Sequence, residues 1–221
     1  MKYLTYFALT VAISFPSIAW GHSEDFGLDF SQTSVDDMQV EHLRSNASPA
    51  GNQLKVDVYL RNFSEFDARK IAKAVQILET VMNSSQFKEQ VLNFTFKGEQ
   101  RFHRNNGMSN QEIYDHLMTG AEDLMPEADQ TMNFDLTLYT SWNPWSSVKG
   151  YTKPDTMRIW LNTKFYRKSS WSAIDVAANM AHEWTHKMGF GHAYDYNPDR
   201  PFSTPYAIGG IVGKVAKNFG Y

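Results

Sequence analysis

Residues 182 to 192 read His-Glu-Trp-Thr-His-Lys-Met-Gly-Phe-Gly-His, which sets three imidazoles and one carboxylate at the spacing that a metal ion and an attacking water require. His182 and His186 are four apart, so on a helix they lie about 40° apart around the axis and roughly 6 Å along it, and both can face one ion. Glu183 sits one residue on, able to reach a water beside the ion without being a ligand. Gly189 can end the helix in the left-handed conformation, which a residue with a Cβ adopts only at a cost. The chain can then reverse and return His192 as the third ligand. Five positions are fixed, and a chance match in a chain of this length falls below about one in ten thousand.

The chemistry follows from the residue types. A neutral histidine binds zinc through one ring nitrogen, and three protein ligands leave a fourth position for water, which marks a catalytic rather than a structural site. Zinc lowers the pKa of that water to about 7. Glu183 is then placed to take its proton as it attacks an amide carbonyl, and to hand the proton to the leaving nitrogen, while the metal polarises the carbonyl. Zn2+ is the expected cofactor. No glutamate follows Glu183, which excludes a downstream glutamate as third ligand. Asp195 and Asp199 stay as alternatives to His192, which stands at the expected distance after a glycine.

The pattern His182-Glu183-x-x-His186-x-x-Gly189-x-x-His192 resembles the zinc signature of the metzincin metallopeptidases. The resemblance covers eleven residues. It implies His182, His186 and His192 as zinc ligands, Glu183 as general base and a metzincin-like zincin fold. It also implies that the strand around Ile159 to Asn162 is the sheet edge along which substrate lies extended. Metzincins carry a methionine turn after the third histidine, whereas this chain has no methionine after Met188. The segment Ser203-Thr204-Pro205-Tyr206-Ala207 stands in that place. There Tyr206 floors the site, plays the catalytic tyrosine that some metzincins bring to the zinc or the oxyanion, or is simply a buried structural residue.

Other elements must hold this stretch in place. Ala177, Met180, Ala181, Trp184 and Met188 follow a helical core-facing stripe, and Ser172 with Asp175 forms a capping box at its start. Leu54, Val56, Val58 and Leu60 alternate with polar residues, as do Met132, Phe134, Leu136 and Leu138. Thr156 to Asn162 repeats the pattern, and each of the three reads as a strand. Ser64 opens a helix with Ile71, Ala74, Val75, Leu78 and Met82 on one face. A short helical stretch starts near Ser85 and leads into a strand from Val91 to Phe96. Ser109 and Glu112 cap a helix that runs to about Thr119, and a last helix spans Ile208 to Phe219. The loop Thr140 to Asp155 holds Trp142, Trp145 and Tyr151, which are expected to pack over the sheet, with substrate binding near a cleft as the alternative. The order of elements argues an α+β fold, with a small mixed β-sheet, an active-site helix and a C-terminal helix.

Composition bounds the rest. The chain has 221 residues, 42% of them hydrophobic and 20% charged, with a net charge of -3. That is enough for one domain with a sizeable core, and it gives no sign of a nucleic-acid partner. Lys2, the apolar run Tyr3 to Phe15 and Ser17-Ile18-Ala19 lay out a signal peptide over residues 1–19, which predicts a secreted or periplasmic protein. There is no cysteine, hence no disulfide framework and no lipid-anchor site. Residues 20–52 are acidic and read as a flexible leader or as a pro-segment, and residues 53–221 form the catalytic domain. The expectation is a monomeric, secreted zinc endopeptidase acting on protein or peptide substrates without a membrane anchor. A zinc amidase acting on a cell-wall amide and a metal-binding module without turnover are the alternatives.

Overall fold

Alternation along three strands builds the sheet that the helices cover. The computed structural model describes residues 28–35, 38–45, 53–143, 145, 147–153, 155–192 and 197–221. In β3 (Lys55–Arg61) and β4 (Thr131–Tyr139) the residues Val56, Val58, Leu60, Met132, Phe134, Leu136 and Leu138 are buried on one face. The two strands pair in parallel, Lys55 opposite Thr131. β6 (Arg158–Asn162) pairs parallel to β4 and adds Ile159 and Leu161 to the same core. The opposite face carries Arg61, Asp135 and Arg158. Asp135 accepts from Arg61 Nε at 2.6 Å and faces Arg158 Nε at 3.7 Å.

Three strands extend the sheet beyond β3, β4 and β6. β5 (Gly150–Thr152) folds back antiparallel on β6, Tyr151 opposite Trp160. The strand order is β1-β2-β3-β4-β6-β5, so the edge is β5 and not the Ile159 to Asn162 strand. Three residues are too few to show alternation in the sequence, and the pairing is set by register with β6 instead. On the other side, β1 (Leu28–Val35) and β2 (Met38–Ser45) form a hairpin, and β2 pairs antiparallel with β3. The sheet therefore reaches into the acidic segment expected to precede the domain, and Leu43 is fully buried. Residues 1–27, which include the expected signal peptide, lie outside the described residues. Among the described residues no helix is long and apolar enough to cross a membrane.

The helices start where the caps lie. α1 (Glu65–Met82) opens at Ser64, with a reciprocal capping box to Asp67. α2 (Ser85–Leu92) absorbs Val91, so the strand expected from Val91 to Phe96 does not form. Asn93 closes that helix, and Phe96 makes only an isolated bridge to Glu99. α3 (Asn110–Thr119) begins at its Ser109–Glu112 box. A short α4 (Thr163–Tyr166) follows β6. α5 (Ala173–Lys187) bears the first two histidines and packs on α1 and on α6 (Thr204–Asn218). The result is α+β, with a small mixed sheet, a histidine-bearing helix and a C-terminal helix around one core.

Candidate metal centre

α5 is oriented by burying one stripe: Ala177, Met180, Ala181 and Trp184 are fully buried and Met188 nearly so. Trp184 Nε1 donates to Glu122 Oε1 at 2.5 Å, and the backbone N–H of Asn133 on β4 donates to the same oxygen at 2.9 Å. The Asp123 N–H donates to the Lys187 carbonyl at 2.7 Å, satisfying one of the orphan carbonyls at the helix end. Gly189 follows with φ +82°, and the Asp123 carboxylate lies 3.2 Å from where a Cβ on Gly189 would stand. The expected left-handed reversal is therefore present, and it returns the chain toward the helix.

This reversal brings the imidazoles of His182, His186 and His192 together. Ring centroids are 5.0 Å apart for His182 and His186, 5.4 Å for His182 and His192, and 4.8 Å for His186 and His192. One potential ligand atom from each lies within 4.8 Å of the others. His186 Nδ1 donates to the Phe190 carbonyl at 2.7 Å, and His182 donates to the Pro205 carbonyl. A backbone carbonyl on one ring nitrogen fixes the tautomer and leaves the other nitrogen's lone pair for a metal. Burial first, and then the neighbouring imidazoles or cations, push His182 down to about 3 and His186 to about 4. Both are neutral at physiological pH, the form that ligates. Two neutral imidazoles with committed outer nitrogens, and the His192 ring beside them, suit a borderline divalent metal ion.

Glu183 is 4% exposed, and burial raises its carboxyl to about 7, opposed only by the Lys187 charge. Tyr206, expected in a loop, lies in the first turn of α6, which starts at Thr204 and not at Ile208. The His103 N–H donates to the Phe202 carbonyl at 2.9 Å, and the Thr204 N–H donates to the His103 carbonyl at 3.2 Å, tethering this turn. The Tyr206 ring stands 4.4 Å from that of His182 and 4.9 Å from that of His192. It is 36% exposed and so is not a buried structural residue. Asp199 is ion-paired with Lys97 at 2.8 Å and is absent from the cluster, while Asp195 lies outside the described residues.

Sequence reasoning missed two charged residues at this centre. Lys187 is 4% exposed, and its Nζ donates to the carbonyls of Lys153 (3.1 Å), Thr156 and Arg158, clamping the β5–β6 turn onto α5. The signal was available: Lys187 falls three residues after Trp184, inside the apolar stripe, where an unpaired lysine would not be tolerated. Arg200 places its guanidinium 4.9 Å over the Tyr206 ring, within electrostatic reach of His182 and His186. No sequence pattern pointed to it. No protein-family model matches the chain, and no curated protein matches it.

Proposed function

We propose that the chain is a zinc-dependent endopeptidase of metzincin-like type, with His182, His186 and His192 as zinc ligands and Glu183 as general base. The observation that carries this reading is the convergence of three imidazoles within 4.8 Å, on the same helix and reversal as a buried carboxyl raised to about 7. When bound, a zinc ion supplies Lewis acidity and an activated water in its open position. Glu183 accepts the proton of the attacking water and returns it to the leaving amide nitrogen, and a carboxyl titrating near neutrality serves both directions. Tyr206 directs its phenol toward the developing oxyanion. An extended peptide adds to the outer edge of β5, held to α5 by Lys187.

Burial of Glu183 supports turnover over a metal-binding module without it, because a structural site gains nothing from a desolvated carboxylate. The test is metal analysis of the purified chain, followed by cleavage of a mixed peptide library with and without chelator. Cleavage should vanish on chelation and return with zinc. Glu183→Gln should keep the zinc and lose about 10²- to 10⁴-fold in kcat. Unchanged peptide hydrolysis by that variant removes Glu183 as base. Hydrolysis of non-peptide amides alone would replace the peptidase with an amidase.

A further inference from the structure

The loop between β4 and β5 departs from its expected packing. Trp142 is 95% exposed and Trp145 is 89% exposed, and Val148 beside them is 46% exposed. Only Tyr151 packs as expected, stacked on Trp160 with centroids 4.9 Å apart. Indole rings left wholly in water are unfavourable, since each carries a large apolar area.

The loop is held in this outward position. At its base the buried Asn162 donates its backbone N–H to the Lys149 carbonyl at 2.8 Å and its Nδ2 to the Val148 carbonyl at 3.0 Å. The hydroxyls of Thr140 and Thr163 meet at 3.0 Å. Within the loop, the Asn143 N–H donates to Ser141 Oγ at 3.2 Å, and the Trp145 N–H donates to Asn143 Oδ1 at 2.9 Å. These hydrogen bonds fix the backbone at Asn143, Trp145, Val148 and Lys149.

The stretch of sequence that carries them is mainly basic. Residues 136 to 174 contain six basic side chains and one acidic, in a chain whose net charge is -3. Lys149, Lys153 and Lys168 of this stretch are exposed. On α4, joined to the loop through Thr163, Phe165 lies between Lys164 and Lys168, each ammonium 5.2 Å from its ring. Protruding tryptophans in a basic stretch of sequence complement a surface that is negative outside and apolar just beneath, where tryptophan concentrates at membrane interfaces.

We propose that the exposed Trp142, Trp145 and Val148 between β4 and β5 form a docking surface for an anionic lipid bilayer, with Trp142 and Trp145 seated at headgroup level and Lys149, Lys153 and Lys168 facing the headgroups. The loop leads directly into β5, where a Cβ on Gly150 would lie 3.1 Å from Asn179 Nδ2, one turn ahead of Glu183. Docking therefore brings the candidate centre to the bilayer surface. The proposal does not depend on peptidase activity.

Sedimentation of the intact chain with phosphatidylcholine vesicles, with and without 30% phosphatidylglycerol, tests it. Binding should be at least tenfold tighter to the anionic vesicles and should weaken at high salt. Trp142→Ser with Trp145→Ser should lose that binding at least tenfold without a change in thermal unfolding, since both rings are exposed. Lys149→Gln with Lys153→Gln and Lys168→Gln should remove only the anionic preference. Brominated lipid should quench the tryptophan fluorescence of the unaltered protein. Absence of sedimentation, absence of quenching, or retention on an insoluble polysaccharide in place of vesicles overturns the proposal.

Discussion

Gly209 on α6 lies against the Ala178 carbonyl on α5 so closely that a Cβ on Gly209 would stand 2.6 Å from that oxygen and 3.3 Å from His182 Cβ. The approach of the two helices sets Tyr206 over His182. Gly209→Ala should therefore destabilise by about 1–3 kcal/mol through overpacking, even though alanine is the better helix former. Gly210, whose Cβ would meet nothing within 4 Å, is the control. Gly210→Ala should stabilise by up to about 1 kcal/mol. Urea unfolding of both variants checks the pair, and equal effects would show that helix approach is not limiting.

The His192 prediction separates the third ligand from its alternative. Changes to residues behind metal ligands already cost about 10- to 100-fold in affinity, so removal of a ligand costs more. His192→Ala should lose zinc beyond that range in titration calorimetry. Asp199→Asn, which breaks only the pair with Lys97, should bind zinc as the parent does. The reverse order would move the third ligand to the aspartate.

Glu122 gives a pH dependence of stability. It is 2% exposed, and burial above all raises its carboxyl from 4.5 to about 7. A carboxyl raised by folding adds stability that is full below its unfolded pKa and is lost as pH climbs through the folded value. At about 1.4 kcal/mol per unit, the loss between about pH 4.5 and 7 is roughly 3 kcal/mol. Glu122→Gln keeps the acceptor for Trp184 and Asn133 without the titration. The stability difference between parent and variant should favour the variant increasingly across that window, and a flat difference in urea unfolding would refute it.

Lys187→Met should loosen the β5–β6 turn. It leaves the three carbonyls without their buried ammonium, for a loss of about 2–4 kcal/mol, and it weakens the edge on which substrate would lie. KM for peptides should rise more than kcat falls. A variant as stable as the parent would show that the clamp carries no weight.

Tyr206→Phe keeps the ring packed against His182 and His192 and removes only the hydroxyl. Zinc affinity should hold, and kcat should fall about 10²-fold if the phenol meets the oxyanion. Unaltered kcat would leave Tyr206 as the floor of the site.

The histidine cluster was legible because its three members lie within eleven residues and their geometry is that of one helix and one reversal. Capping boxes at Ser64, Ser109 and Ser172 placed three helix starts for a similar reason, since a cap acts over three residues. The start of α6 was missed because Pro205 was read as a loop residue, whereas proline in the first helical turn lacks only an N–H that has no partner there anyway. β5 and the 28–45 hairpin were missed because edge strands are defined by what they pair with. The exposure of Trp142 and Trp145 ran against hydrophobicity, and only the hydrogen bonds at Asn162 and Asn143 explain it.

The sheet also carries a consequence for the order in which the molecule assembles. β3 meets β4 across the separation from Lys55 to Thr131, with α1, α2 and α3 between them. Pairing at such distance in sequence is slow, whereas closing the short stretch from His182 to His192 costs little entropy. A refolding chain of this design gathers its three histidines early and closes the β3–β4 pair late. Stopped-flow refolding should show zinc uptake from a sensitive dye ahead of the recovery of peptide cleavage.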